Sequence, residues 1–367
     1  MKLKIPVLVI FLLIMSSCHV GRFFIYNFAG VNDYKIFPQI TVHNDPSNVF
    51  RFIQSDQSII IDTMHISGDV SEKNMTVGEY HKQTKTTGLL IIRNDSILYE
   101  NYFGKSENQI YTSFSVSKSF VGALVGIALD EGKILSDDDP MTNYIDYWNG
   151  DSEKKRITIE HLLDMKSGIV YDENYYNPFG DIGKFYYGRH LERYLKKMDT
   201  SHEPGKDFEY ASVNTLLLSL ILEKATGVPT AVYLEEKLWK PLGMEYNATV
   251  NYDRKKGVFK AFTGLNATLK DYAKFGRLYL HWGMWNGKQI ISKKWIERVR
   301  NRRASIQGKM AYTDQWWIVG QGDFCAIGFL GQYIYVHPAK NLIIVRTGEK
   351  SEKWPLLLQK LANSNIL

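Results

Sequence analysis

The chain has 367 residues, 44% of them hydrophobic and 23% charged, and a formal net charge of +6 at pH 7. This is the composition of an ordinary globular protein, and the length suffices for one large domain or two fused ones. No basic run carries aromatic residues at regular spacing, so we expect no nucleic-acid partner. His, Cys, Asp and Glu do not cluster at the spacing of a metal site, and we expect neither a metal nor another cofactor.

The amino terminus has the features of an export signal. Lys2 and Lys4 precede an apolar stretch at 5–15, which is shorter than the roughly 20 residues that span a bilayer. Two serines then lead to Cys18, as in the cleavage box of a bacterial lipoprotein. We therefore expect residues 1–17 to be a signal peptide, and Cys18 to be acylated so that it holds the protein on a membrane of the cell envelope. The alternatives are an uncleaved anchor and an ordinary signal with an incidental cysteine.

A hairpin is predicted after an amino-terminal extension. The extension, residues 18–85, is rich in Asn, Asp and aromatic residues without a sustained period, and we expect it to pack against the main domain. Residues 88–93 and 96–103 are strand-like, and Asn94-Asp95 between them is a typical tight turn.

The next segment, Ser115-Val-Ser-Lys118, places a hydroxyl and an amine one turn apart on a predicted helix. The residues that follow are almost wholly apolar, so this is a core helix, and a lysine in its first turn needs a reason. Serine becomes a strong nucleophile when a base takes its proton, and burial lowers the pKa of a lysine towards that task. Ser152-Glu-Lys-Lys155 has the same spacing in a polar loop. Context therefore favours Ser115 as nucleophile and Lys118 as its base.

The remainder of the chain is predicted to be helical and then strand-rich. The range 135–260 alternates short helical patterns with polar loops and indicates an all-helical insertion. Its aromatic loop, 171–186, is expected either to overhang a site or to pack in the core. Strands at both ends of the chain predict a mixed α/β (α+β) fold with one antiparallel sheet covered by helices. The later elements are expected at 268–282 and 292–302 (helices), 316–319, 324–327, 333–337 and 342–346 (strands), and 352–362 (helix).

Three motifs resemble those of the serine β-lactamase and penicillin-binding-protein superfamily. The first is the Ser-x-x-Lys element at Ser115. The second, Tyr-Ala-Ser-Val-Asn at 210–214, follows a Pro-Gly turn and leads into an apolar helix. The third, Ala-Ile-Gly-Phe-Leu-Gly-Gln at 326–332, runs into a strand. The resemblance covers residues 86 to about 350 in the right order, and it looks most like the esterase and 6-aminohexanoate-dimer hydrolase branch.

The resemblance implies a fold and a role for each motif. The fold is an antiparallel sheet flanked by helices with an inserted all-helical subdomain, in a catalytic domain at 86–367. Ser115 would form an acyl-enzyme and Lys118 would take its proton. Tyr210 would pass a proton to the leaving group. It would act as a phenolate if Lys118 and the local field lower its pKa. The implied oxyanion and substrate contacts are Phe329, Gly328, Ser212 and Asn214.

Two departures from the family pattern bear on the substrate. Ser212 stands where the family usually has asparagine, and whether Asn214 replaces it is left open. Ala326 stands where β-lactamases carry the lysine that meets the substrate's carboxylate. The expected function is therefore hydrolysis of a small-molecule ester, amide or peptide in the cell envelope. The alternatives are a D-Ala-D-Ala peptidase or β-lactamase, and a non-catalytic binding protein on the same fold.

Overall fold

A large mixed sheet is the centre of the computed structural model, which describes residues 19–301, 305–306, 310–320 and 322–367. Neighbouring strands in the described part of this main sheet are antiparallel, except that Ile53–Gln54 runs parallel to Ser96–Asn101. In order across the main sheet, the strands are Ser305–Ile306, Met310–Thr313, Trp316–Ile318, Phe324–Gly328, Gln332–His337, Leu342–Gly348, Thr86–Arg93, Ser96–Asn101 and Ile53–Gln54.

The predicted hairpin is present, and the last strands of the chain complete the sheet beside it. Asn94 and Asp95 both have positive φ, at 51° and 59°, as a tight turn between right-twisted strands requires. Leu342–Gly348 pairs with Thr86–Arg93 on the other side of the hairpin. The expected antiparallel sheet, completed by carboxyl-terminal strands and flanked by helices, is confirmed.

Both faces of the main sheet are covered, which explains the unbroken apolar run in Thr86–Arg93. Successive side chains on a strand point to opposite faces. Leu90 and Ile92 belong to the large core that includes the central helices. Leu89 and Ile91 belong to a second core with residues of the last helix, Trp354–Asn363. A strand buried on both sides has no polar face to show.

Two buried helices carry the motifs of the candidate site. The serine helix, Val116–Asp130, begins directly after Ser115. The tyrosine helix, Ser212–Thr226, ends at Gly227, whose φ of 75° suits a glycine cap. Both helices contribute to the large core. The other described α-helices are His19–Tyr26, Val77–Gln83, Ile159–Leu163, Asp181–Tyr187, Leu191–Leu195, Thr230–Leu234, Leu269–Leu280, Lys293–Asn301 and Trp354–Asn363.

A second, smaller sheet corrects the prediction that 135–260 is wholly helical. Ala248–Asn251 is a strand between Gln39–Val42 and Leu265–Ala267. The prediction was wrong because one partner of this strand lies about 200 residues earlier, which no local pattern reveals. Tyr111–Thr112 pairs with Leu265–Ala267 and leads into the turn before Ser115. Two-stranded pairs are formed by His65–Ile66 with Met75–Thr76 and by Met284–Trp285 with Lys288–Gln289.

The aromatic loop predicted at 171–186 is a loop only in its first part. Asp181–Tyr187 is a helix, and Phe185 and Tyr186 on it are buried. The predicted signal peptide and Cys18 lie outside the described residues. Within the described part of the chain no single helix is long and apolar enough to cross a membrane. Only Ser212–Thr226 taken with Thr230–Trp239 reaches that length and hydropathy, and the two are bent by 83°.

Candidate active site

Ser115 lies at a sharp turn between a strand and a helix. The Ser113 amide donates to the Leu265 carbonyl at 2.9 Å, which fixes the end of Tyr111–Thr112 against the smaller sheet. Phe114 has a φ of 44°, a sparsely populated region for a residue with a side chain. The Ser115 side chain makes no capping bond to the helix and is 9% exposed. Its hydroxyl is therefore available for a reaction at the cleft floor.

The Lys118 amine is hydrogen-bonded to this hydroxyl. Its Nζ lies 2.8 Å from Oγ of Ser115, and it also donates to Oγ of Ser212 and to the Phe262 carbonyl, both at 3.0 Å. Lys118 is only 1% exposed. Burial lowers its pKa to about 8, although the charge of Glu173 opposes the shift. With this pKa about a tenth of the amine is neutral at pH 7, far more than for an ordinary lysine.

The Glu173 carboxylate is hydrogen-bonded to Ser212 of the second motif, which in turn contacts Lys118. Glu173 accepts from the Ser212 hydroxyl at 2.6 Å and from the Ser212 amide at 2.8 Å. The Tyr175 hydroxyl donates to the same carboxylate at 2.7 Å. Sequence reasoning missed Glu173, because it stands in a polar loop that no motif marks. Its one sequence signal is its place inside the aromatic loop at 171–186.

Two tyrosine hydroxyls reach Ser115. Tyr210 and Tyr175 both come within hydrogen-bonding range of its side chain. The ring of Tyr210 stacks on Trp317 at 5.7 Å, and that of Tyr175 stacks on Phe329 at 4.6 Å. Burial raises the pKa of each phenol well above its ordinary value, and the Glu173 charge raises it further. The surroundings of Tyr210 raise its pKa instead of lowering it, so the condition set for a phenolate is not met and both tyrosines are neutral phenols.

The third motif forms the wall opposite the tyrosines. A Cβ added to Gly328 would collide with the Ser113 carbonyl, so only glycine lets this strand approach the nucleophile's turn. Gln332 fixes the loop after the strand by donating to the Gly348 carbonyl at 2.7 Å. Ala326 is buried, at 1% exposure, and faces the large apolar core. Gly328 and Phe329 line the cleft together with Ser115.

Of the residues predicted from the second motif, the structure brings Tyr210 to Ser115 and Ser212 to Lys118, but it does not bring Asn214 to either. The Asn214 side chain is fully buried, accepts from the Ser167 hydroxyl at 2.8 Å and lies against the Met165 sulfur. Asn214 is two residues, about half a turn, beyond the helix start and faces the core, so it does not replace the family's asparagine. Ser212 itself occupies that place beside Lys118.

The cleft above these residues has a volume of about 540 Å³, within the usual range of small-molecule sites. Its floor is Ser115 and its walls are largely aromatic and apolar. Three charged side chains lie at its rim, Glu349, Lys350 and Glu352, and Glu349 also pairs with Lys85 at 3.4 Å. The three lining charges sum to −1, and the charge of Lys85 offsets it, so the described rim is close to neutral.

Comparisons with known proteins agree with this geometry. The sequence model of the Beta-lactamase family matches residues 72–353. The chain is 30% identical over 297 residues to the 6-aminohexanoate-dimer hydrolase of Paenarthrobacter ureafaciens, covering 75% of this chain and 74% of that protein. Among solved structures, a candidate 6-aminohexanoate-dimer hydrolase of Bacillus anthracis superposes with a TM-score of 0.77 and 23% identity, over 90% of this chain and 91% of that one. A penicillin binding protein of Bacillus halodurans superposes with a TM-score of 0.64 and 18% identity, over 78% of this chain and 99% of that one.

Proposed function

The chain belongs to the beta-lactamase family, and on that premise we propose that it is a serine hydrolase that cleaves a linear amide or ester through an acyl-enzyme on Ser115. The observation that carries the proposal is the buried Lys118 amine, 2.8 Å from Oγ of Ser115 and with a pKa lowered to about 8. An amine at this distance from a hydroxyl has the geometry of a general base. A binding protein on the same fold would gain nothing from burying it.

In the proposed acylation step, neutral Lys118 accepts the Oγ proton while Oγ bonds to the substrate's carbonyl carbon. A proton returns to the leaving nitrogen or oxygen through the Tyr210 hydroxyl, which donates one proton and receives another from Lys118. The bond to the leaving group then breaks and the acyl group stays on Ser115. Water then attacks the carbonyl carbon of the acyl-enzyme and gives a proton to the same base. The bond to Oγ of Ser115 breaks, Oγ regains a proton, and the acid is released. Since burial raises the pKa of Tyr210, a relay through the neutral phenol suits this site.

The developing oxyanion needs fixed N–H donors, and we assign the amides of Ser115 and Phe329 to that task. Both residues line the cleft, and the absence of a side chain at Gly328 keeps their elements close together. Glu173 is a positioning residue in this scheme. It holds Ser212, which accepts from Lys118, so the amine stays directed at the nucleophile.

The third motif brings no cation to the cleft, which favours neutral substrates over carboxylates. Ala326 faces the core, and residues 327–330 line the cleft without a charged side chain. A half-buried carboxylate needs a cation or several hydrogen bonds to offset its lost hydration. A linear amide also fits the similarity to a protein named for hydrolysis of the 6-aminohexanoate dimer.

We also propose that the protein works in the cell envelope, anchored through acylated Cys18. The apolar stretch at 5–15 and the two serines before the cysteine support this assignment. A mature protein whose first residue is not Cys18 would contradict it.

The function is tested by one substrate panel on the purified protein, with Ser115→Ala as the blank. The panel contains p-nitrophenyl butyrate, a linear aminohexanoyl amide, nitrocefin and a D-Ala-D-Ala peptide. We expect Ser115-dependent turnover of the neutral ester and the linear amide, with a lower kcat/KM for nitrocefin and the peptide. If nitrocefin or the peptide is the better substrate, the protein is instead a penicillin-interacting enzyme. If no substrate is turned over above the blank, a binding role is favoured.

A further inference from the structure

The first described helix, His19–Tyr26, has a large apolar surface on its outer side. Its inner side is well held, because Arg22 donates to the Tyr187 carbonyl at 2.6 Å and Phe23 is buried among aromatic rings. On the outer side, Phe24 is 64% exposed and Ile25 is 54% exposed. A helix end that presents two adjacent large apolar side chains to water has an exposure that calls for a partner.

This apolar surface continues to the rim of the catalytic cleft. Phe28, just beyond the helix, is 47% exposed, and its ring lies 5.4 Å from that of Tyr176. Tyr176 is 68% exposed and lines the cleft above Ser115. We name the exposed residues Phe24, Ile25, Phe28 and Tyr176 the rim patch.

Basic side chains lie beside the rim patch. Tyr26, at the end of the same helix, borders a cavity of about 350 Å³ that is also lined by Arg189, Arg254 and Lys255. Arg254 pairs with Asp253 at 3.0 Å, whereas Arg189, Lys255 and the neighbouring Lys256 are exposed. Apolar side chains bordered by exposed cations are the usual composition of a surface that lies on an anionic bilayer.

We propose that the rim patch and its basic border rest on an anionic bilayer, so that the catalytic cleft opens at the membrane interface and takes amphiphilic amides or esters from it. The proposal rests on the hydrolase function proposed above. The occupant follows from where the helix begins. Its first residue is adjacent to Cys18, and the chain before it holds the apolar stretch at 5–15. A lipid on Cys18 would bring the bilayer to the start of this helix. A protein held by an acyl chain is anchored more stably when a second element, such as an apolar patch with basic neighbours, also binds the bilayer.

The test uses the mature chain, residues 18–367, with Cys18→Ser so that no acyl chain contributes. Sedimentation is measured with vesicles of equal phosphatidylcholine and phosphatidylglycerol, and with phosphatidylcholine alone. We expect the parent to bind the anionic vesicles, and this binding to weaken as salt is added. The partition coefficient of Phe24→Ser/Ile25→Ser/Phe28→Ser should be at least about tenfold lower than that of the parent. Ile60→Ser/Leu135→Ser, at residues 71% and 84% exposed elsewhere, is the matched control and should bind like the parent.

A second variant, Lys255→Glu/Lys256→Glu, leaves the aromatic residues intact and should lose the preference for anionic vesicles. All variants should hydrolyse water-soluble p-nitrophenyl acetate at the parent rate, while the first should lose rate on an ester of a long-chain acid held in vesicles. The proposal would be overturned if the parent does not bind the vesicles, or if the first variant binds them as well as the parent does. It would also be overturned if the patch instead forms a dimer that the first variant disrupts. If the parent itself does not hydrolyse p-nitrophenyl acetate, the proposed hydrolase function is overturned instead.

Discussion

The protonation state of Lys118 should set how the rate depends on pH. Its pKa is lowered from 10.5 to about 8 by burial, and the base must be neutral to act. The acid limb of the kcat/KM profile should therefore rise with pH and level off above about 8. The phenol of Tyr210 has a raised pKa, so we expect no second limb from it below pH 10.

Glu173→Gln tests the assignment of this limb. The Glu173 charge stabilises the ammonium form of Lys118, so its removal should lower the pKa of Lys118 and move the limb to lower pH. The rate at the plateau should also fall, because the carboxylate no longer holds Ser212. A merely structural defect would lower the rate without moving the limb. A limb that stays in place would remove Lys118 from the role of base.

The two tyrosines near Ser115, Tyr210 and Tyr175, should affect different kinetic constants. Tyr210→Phe is expected to lower kcat by at least about 100-fold, the usual scale for a lost proton-transfer group. Tyr175→Phe should act more on KM, since its hydroxyl already donates to Glu173 and its ring closes the cleft against Phe329. Steady-state kinetics of both variants on the neutral ester measure this. A larger kcat loss in Tyr175→Phe would assign the relay to Tyr175.

Site residues with a local sequence pattern could be predicted, whereas those that reach the site through a tertiary contact could not. Ser115 and Lys118 are marked by a polar pair in an apolar helix. Glu173 and Tyr175 become functional only when their loop folds over the tyrosine helix, and no spacing records that contact. Asn214 could not be excluded until the helix phase directed it to Ser167.

At the scale of elements, the distance between the third-motif strand and the turn before Ser115 sets the oxyanion site. Gly328→Ala would place a Cβ against the Ser113 carbonyl, so the strand must move away. We expect kcat to fall about 100-fold, the scale of losing one oxyanion donor. Thermal unfolding should show that the protein still folds. Gly150→Ala is the control, since an added Cβ there meets nothing within 4 Å. Equal activity of both variants would remove Phe329 from the oxyanion site.

Elements with local signals were predictable, and those made by distant pairing were not. The hairpin at Asn94-Asp95 and the serine helix follow from turn chemistry and an apolar run. The strand Ala248–Asn251 follows from its pairing with Gln39–Val42, two segments far apart in the chain. The helix Asp181–Tyr187 was hidden in a stretch whose Asn, Pro and Gly residues indicated a loop.

At the scale of the whole molecule, the cleft's charge should decide which substrates it accepts. Lys350 is the cation among the described residues that line the cleft. Lys350→Ala should lower kcat/KM for nitrocefin, which carries a carboxylate, and leave the neutral ester unchanged. Lys353→Ala, an exposed neighbour that lines a different cavity, is the matched control. An equal loss on both substrates would show that Lys350 acts on the fold instead of on charge.

The central claim is that Ser115 carries the acyl group. The most direct measurement is mass spectrometry of the protein after brief reaction with a fluorophosphonate or an activated ester, followed by identification of the modified peptide. We expect one adduct, on the peptide that contains Ser115, which is lost in Ser115→Ala and retained in Ser152→Ala, the same spacing in a polar loop. Undiminished labelling of Ser115→Ala, or an adduct on another residue, would contradict it.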